Sequence, residues 1–206
     1  MTDGESQPEG GKGAQPASIP PAAPASGLMH RWRAIWANPA YRFVLLFLPY
    51  LVLVSILYPL IVEHYFAIVQ AFIKGTAGIE YWIFSWFSDD VRLDDKLVFF
   101  NGFAVKIIDE CTGIYEMLIF AAAVLAFPAT RASKGVGILL GCPLIYLFNV
   151  VRIAMLIVVG RYWPVAFDFM HLYFWQGTMI IWIVSIWMLW IVKVVRSDED
   201  AALARV

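Results

Sequence analysis

The sequence predicts an all-α integral membrane bundle of about four transmembrane helices, with outer interfacial helices and a small extracytoplasmic β-hairpin. Three observations predict it. Of the 206 residues, 61% are hydrophobic and 15% charged, against about 45–50% and about 25% in soluble domains, and the apolar residues lie in long unbroken runs. Arginines and lysines recur at alternate ends of those runs. One Asn-Gly pair sits between two β-forming stretches. No basic stripe points to nucleic acid as a partner. Two cysteines are too few for a disulfide framework and lack a zinc spacing, so no metal or cofactor is expected.

Residues 1–30 are rich in Gly, Pro, Ala and Ser and lack apolar periodicity. Such a segment buries too little surface to offset its ordering entropy, so a disordered cytoplasmic tail is expected. It has no apolar core of a secretory signal peptide. The membrane domain is expected over residues 31–196, followed by an acidic cytoplasmic tail over 197–206.

Arg31, Arg33 and Arg42 precede the run Phe43 to Val62, about the 20 residues that span a bilayer. The positive charges place its start in the cytoplasm, and Pro49 and Pro59 are expected to bend it. Tyr65 to Phe87 is aromatic and apolar but broken by Lys74, Gly75, Gly78 and Glu80, which fits helices at the outer interface, with a second and third short span as the alternative. Ser88-Asp89-Asp90 makes a polar turn. Leu97–Phe100 and Phe103–Ile108 flank Asn101-Gly102. Both central residues of a type I′ turn need positive φ, so this pair predicts a hairpin. The second span is expected from Thr112 to Ala126, with Arg131 and Lys134 in a cytoplasmic loop. The third runs Gly137 to Gly160, an outer loop covers 161–172, and the fourth runs Tyr173 to Ile191 with Lys193 and Arg196 anchoring it. Both termini then lie inside.

The chemistry gathers around Asp109-Glu110-Cys111-Thr112-Gly113-Ile114-Tyr115-Glu116. Cys111 stands where a water-facing segment meets an apolar helix, and Gly113 leaves the backbone beside it open. A free cysteine is often just a small apolar residue. A helix N-terminus, however, favours the thiolate, whereas Asp109 and Glu110 oppose it, so a basic partner is needed. Arg152 lies within the third span. An arginine at the bilayer centre costs at least about 2.5–3.5 kcal/mol, which a polar cavity makes tolerable. Snorkelling is the bland alternative, but Arg152 stands about two turns short of the helix end. Asn149, three residues earlier, shares its face and is placed to hydrogen-bond toward it. His171 opens the fourth span, and Asp168, three residues before, is placed to orient its imidazole; an interfacial histidine is the plainer reading. His30 and His64 have no such companions. Cys142, beside Pro143 in the inner part of the third span, reads as structural. On helical rise it lies about 20 Å in depth from Cys111, beyond the about 7 Å between Cα atoms that a disulfide allows. With these span directions, Cys111, Arg152 and His171 are expected to line one cavity open to the outside.

Cys111-Thr112-Gly113-Ile114, Asn149-Val150-Val151-Arg152-Ile153, and His171 with Trp175-Gln176 resemble the exosortase/archaeosortase family in order and spacing, over about residues 97–192. The short length and the Ala-Phe-Pro after the second span are similar to the exosortase H type. Thr112 stands where the family usually has Ser or Asn. The resemblance implies a membrane cysteine transpeptidase in the cell inner membrane, with its active site on the extracytoplasmic face. Its substrate would be a membrane-tethered protein ending in a short motif, a transmembrane helix and a basic cluster. Cys111 would form an acyl-thioester. Arg152 and His171 would share oxyanion stabilisation, proton donation and base catalysis, a division the residues leave open. Two other classes compete. One is a non-catalytic membrane component of an export or exopolysaccharide system, in which Arg152 pairs with a partner helix. The other is a redox or haem-handling protein with Cys111 and His171 as ligands, against which the lack of a Cys-x-x-Cys-His motif counts.

Overall fold

A computed structural model describes residues 38–197. The expected tail at 1–30, Arg31, Arg33 and, except for Ser197, the expected acidic tail lie outside the described residues.

Helix α1 is Pro39–His64. Asn38 caps it by accepting from the Ala40 N–H at 3.0 Å, and Pro39 takes the first-turn position where no N–H is needed. The helix continues through Pro49 and Pro59. After Tyr65 the chain forms α2, Phe66–Ser85. Its buried positions Val69, Ile73, Thr76, Ala77, Glu80 and Phe84 recur at helical spacing, which makes one face of α2 apolar.

That face packs under a three-stranded antiparallel sheet, β1 Val91–Asp94, β2 Leu97–Phe100 and β3 Phe103–Lys106, in the order β1-β2-β3. The predicted hairpin is β2–β3, with Phe100 opposite Phe103. Asn101 (φ 47°) and Gly102 (φ 80°) both take the left-handed conformation a type I′ turn demands. The sheet has one strand more than the sequence suggested. β1 was hidden because only Val91 of its four residues is buried. Val98 and Phe100 meet Ile73, Ala77 and Phe84 of α2 in an apolar cluster that also takes in Ile107, Ile153 and Ile157.

A short 3-10 turn, Asp109–Cys111, leads into α3, Ile114–Ala126. Helix α4 follows at Arg131–Tyr162. It starts six residues before the expected span because Thr130 caps it, accepting from the Ser133 N–H at 3.1 Å. Arg131 and Lys134, expected in a loop, are therefore in its first turn. Residues expected as an outer loop form α5, Pro164–Phe169, and a wide π-type turn, Met170–Phe174. These continue into α6, Trp175–Trp190, and a second wide turn, Ile191–Val195.

Among the described residues, three helical stretches are long and apolar enough to cross a membrane: Ala40–His64, Arg131–Tyr162 and Pro164–Val195. At the place of the expected second span stands the shorter apolar helix Ile114–Ala126. At 1.5 Å per residue its 13 residues reach about 20 Å, short of the about 30 Å of a bilayer core. A second apolar cluster holds this part together: Phe120 and Val124 of α3, Ile145 of α4, and Met179, Ile186 and Trp190 of α6. The Trp190 indole donates to the Ser133 carbonyl at 2.7 Å, so the end of α6 is tied to the start of α4. The two clusters divide the molecule into a sheet end and an opposite end, and the polar residues of interest collect at the sheet end.

Candidate active site

The turn carrying Cys111 is fastened on three sides. The Cys111 N–H donates to the Ile108 carbonyl at 3.0 Å. The Cys111 carbonyl accepts from Asn149 Nδ2 of α4 at 2.6 Å. The Tyr58 hydroxyl of α1 donates to Asp109 Oδ2 at 3.3 Å. Thr112 is fully buried, and its hydroxyl donates to the Asp109 carbonyl at 2.6 Å. A small hydroxyl at this position thus closes the turn on itself. Gly113 caps α3 at φ 75°, a conformation that L side chains resist. A Cβ there would lie 3.2 Å from Asn149 Cγ. Gly113 therefore serves twice: it turns the chain, and it lets Asn149 reach past it to Cys111.

This corrects the expected role of Asn149. Its amide is spent on the Cys111 backbone, not on Arg152. The buried Oδ1 has no hydrogen-bond partner among the described residues.

Arg152 is 6% exposed. It makes neither an ion pair nor a hydrogen bond to a described residue, and its Nε is buried without a partner. It lines a cavity of about 440 Å³ with Tyr58, Glu110, Tyr115, Glu116, His171 and Gln176. His171 sits in the wide turn Met170–Phe174, the kind of local unwinding that often marks functional positions. Its imidazole stacks on Phe167, with centroids 5.7 Å apart and planes 4° off parallel. Phe167 in turn meets Phe103 of β3 edge-on at 5.9 Å. Phe103 packs so close to Gly160 of α4 that a Cβ there would overlap its ring. The sheet therefore sets the imidazole through two aromatic rings. Asp168 does not do so: it forms no hydrogen bond or ion pair with His171, and His171 Nδ1 is buried without a partner among the described residues.

Arg152 and His171 thus share one cavity, as expected. Cys111 does not line it. The half-buried thiol packs against the apolar cluster beneath the sheet, with Ala154 and Val158 of α4 beside that cluster. The physical reason is the 3-10 turn: it leaves Glu110 to face the cavity and sets Cys111 toward the cluster. Burial pushes the Cys111 thiol above its ordinary value, the Ile108 hydrogen bond and the Arg152 charge pull it down, and Glu110 and Asp109 push it up. The helix N-terminus read from sequence is outweighed by desolvation. Cys142 is also free and packs with the second apolar cluster, and His64 ends α1 exposed.

Tyr58 was not singled out from the sequence, and Tyr115 and Glu116 lie in the stretch around Cys111 but were given no role there, since a tyrosine or glutamate near a helix end is unremarkable. The only signal for Tyr58 was a hydroxyl within an apolar run.

The arrangement defines a helical membrane protein with a thiol, a buried guanidinium and an imidazole at one end of its bundle. The family model Transmembrane exosortase (Exosortase_EpsH) matches residues 32–191, and the chain belongs to that family. No curated protein and no solved structure matches it.

Proposed function

We propose that the protein is a cysteine transpeptidase that removes C-terminal sorting tails from membrane-tethered secreted proteins. Cys111 is the nucleophile and the sheet end faces outside, in the cell inner membrane. The observation that carries this reading is Arg152: a buried guanidinium with no partner among the described residues, lining a cavity with His171 and acting on the Cys111 thiol. A buried charge without a partner is costly, and a reacting carbonyl that gains negative charge compensates it.

The chemistry then divides by what each group can do. Arginine stays protonated, so Arg152 donates to the oxyanion. His171 accepts the thiol proton. The Cys111 sulfur bonds to the scissile carbonyl carbon, and the negative charge rests on its oxygen beside Arg152. When the C–N bond breaks, the proton held by His171 passes to the leaving amine. The remaining acyl-thioester is taken by an amine acceptor or by water. Movement of the thiol toward the cavity on substrate binding belongs to this reading, since Cys111 is not among the residues that line it.

The test uses a detergent-solubilised precursor from the same genome that ends in a motif, an apolar helix and a basic cluster. Loss of its C-terminal helix on incubation with the full chain is the expected result. Equal cleavage of a soluble peptide lacking that helix would argue against a membrane-tethered substrate.

A further inference from the structure

Beside the polar cavity a second opening of about 310 Å³ runs between three helices. Each helix contributes a stripe at helical spacing. On α6 it is Gln176, Ile180, Ile183, Val184 and Trp187; on α3 it is Tyr115, Glu116, Ile119 and Ala123; on α1 it is Phe43 and Phe47. The α6 stripe spans 11 residues, about 16 Å. Its far end is closed by Phe43 and Trp187, whose rings lie 5.1 Å apart. At the sheet end it meets the cavity, because Tyr115, Glu116 and Gln176 line both. An apolar groove and the candidate active site are therefore continuous.

We infer that this groove seats the transmembrane helix of the substrate, so that the chain leaving that helix enters the cavity lined by Arg152 and His171. The inference rests on the processing reading above and adds where the tail is held. A helix 10–12 Å across and about 16 Å long occupies on the order of 1,000 Å³. It lies against the groove and inserts one ridge of side chains, as helices pack in ridges and grooves. Ala123, small and facing the groove, permits the close approach that helix pairs in lipid rely on. A lipid tail is the competing occupant. Its phosphate would have to sit at the junction beside Glu116, which lines both openings, with Glu110 and Arg152 in the cavity beyond. A peptide backbone brings no charge to Glu116, and because the groove opens directly into the cavity, a helix seated in it delivers the chain that leaves it to Arg152 and His171.

The test is site-directed cross-linking in vesicles with full-length chain carrying Cys111→Ala and Cys142→Ala. A third substitution is Ile180→Cys in the groove or Ile181→Cys, which is 68% exposed and does not line the groove. The probe is a synthetic peptide with a 20-residue Leu/Ala helix, a polar N-terminal segment, a lysine-rich C-terminus and one cysteine at mid-helix. Ile180→Cys should give on the order of ten times the disulfide yield of Ile181→Cys, and an excess of cysteine-free peptide should suppress it. Equal yields, a larger yield at Ile181→Cys, or no cross-link at either position, as a lipid-filled groove would give, overturns the inference. Cross-linking needs no catalysis, so the two ideas fail separately. Groove cross-links from a chain whose native form processes nothing would sink the enzyme reading alone. Processing with cross-links confined to Ile181→Cys would sink the groove alone.

Discussion

Gly113→Ala is the substitution whose consequences the structure specifies most fully. It introduces an L side chain at φ 75°, which costs about 1–2 kcal/mol. It also sets a Cβ 3.2 Å from Asn149 Cγ, closer than Asn149 tolerates without shifting. Asn149 cannot shift freely, since its amide holds the Cys111 carbonyl at 2.6 Å and the residue is fully buried. Loss of that bond leaves a buried carbonyl unpaired, which costs about 1–3 kcal/mol. Gly113→Ala is expected to destabilise by at least about 2 kcal/mol from both sources, a fall of at least about 4–8 °C in Tm for a chain of this size. Asn149→Ala alone should cost about 1–3 kcal/mol. The two costs should not add, because Asn149→Ala removes Cγ and Nδ2, two of the three atoms the new Cβ meets, and leaves only Cβ at 3.3 Å. A coupling of at least about 0.5 kcal/mol is expected for neighbours of this kind. The assay is the thermal unfolding midpoint in detergent for both single variants and the double variant. Additivity within about 0.3 kcal/mol, or an unchanged midpoint in Gly113→Ala, would refute the reasoning.

Three further outcomes follow from other parts of the site. Glu80 is fully buried, its carboxyl oxygens have no partner among the described residues, and burial pushes its pKa from 4.5 to about 8. The folded chain then holds a proton that the unfolded chain releases, so stability falls by about 1.4 kcal/mol per pH unit as pH rises through that window. Glu80→Gln should flatten the fall, and parallel Tm-against-pH curves for the two proteins would contradict it. Arg152→Ala removes a charge that lowers the Cys111 pKa and should slow labelling of Cys111 in intact cells by a charged, impermeant thiol reagent severalfold; a faster rate, or labelling only from the inner face, would contradict the site and its orientation. Gly160→Ala drives a Cβ into the Phe103 ring and through Phe167 disturbs His171. It should lower kcat for processing more than it raises KM, and an unchanged kcat would separate His171 from the sheet.

Much of this was legible in the sequence because membrane helices announce themselves by run length. The expected spans Phe43–Val62 and Gly137–Gly160 fall inside α1 and α4, and Asn101-Gly102 marked the hairpin turn. What was missed depends on neighbours. β1 escaped because Val91-Arg92-Leu93-Asp94, although it alternates, is only four residues long and is flanked by no Asn-Gly turn of its own. The loop expected at 161–172 is helical because Pro164 can start a helix and the wide turn at Met170–Phe174 absorbs the irregularity. Asn149 and Arg152 share a face in sequence spacing, yet the Asn149 amide goes to Cys111, since Gly113 opens that path and nothing in the spacing reveals it. Asp168 stands three residues from His171, but Phe167, four residues away, is what holds the ring. The sequence pattern also placed Cys111 with Arg152 and His171 in one cavity, and only the geometry of a three-residue turn turned its thiol aside.

The nucleophile is identified by mass spectrometry of the full chain after brief incubation with the tail-bearing precursor. An acyl adduct on Cys111 is predicted. It should be released by hydroxylamine, be absent from Cys111→Ala together with processing, and be retained in Cys142→Ala. Processing at the full rate by Cys111→Ala, or an adduct on Cys142, would contradict the account.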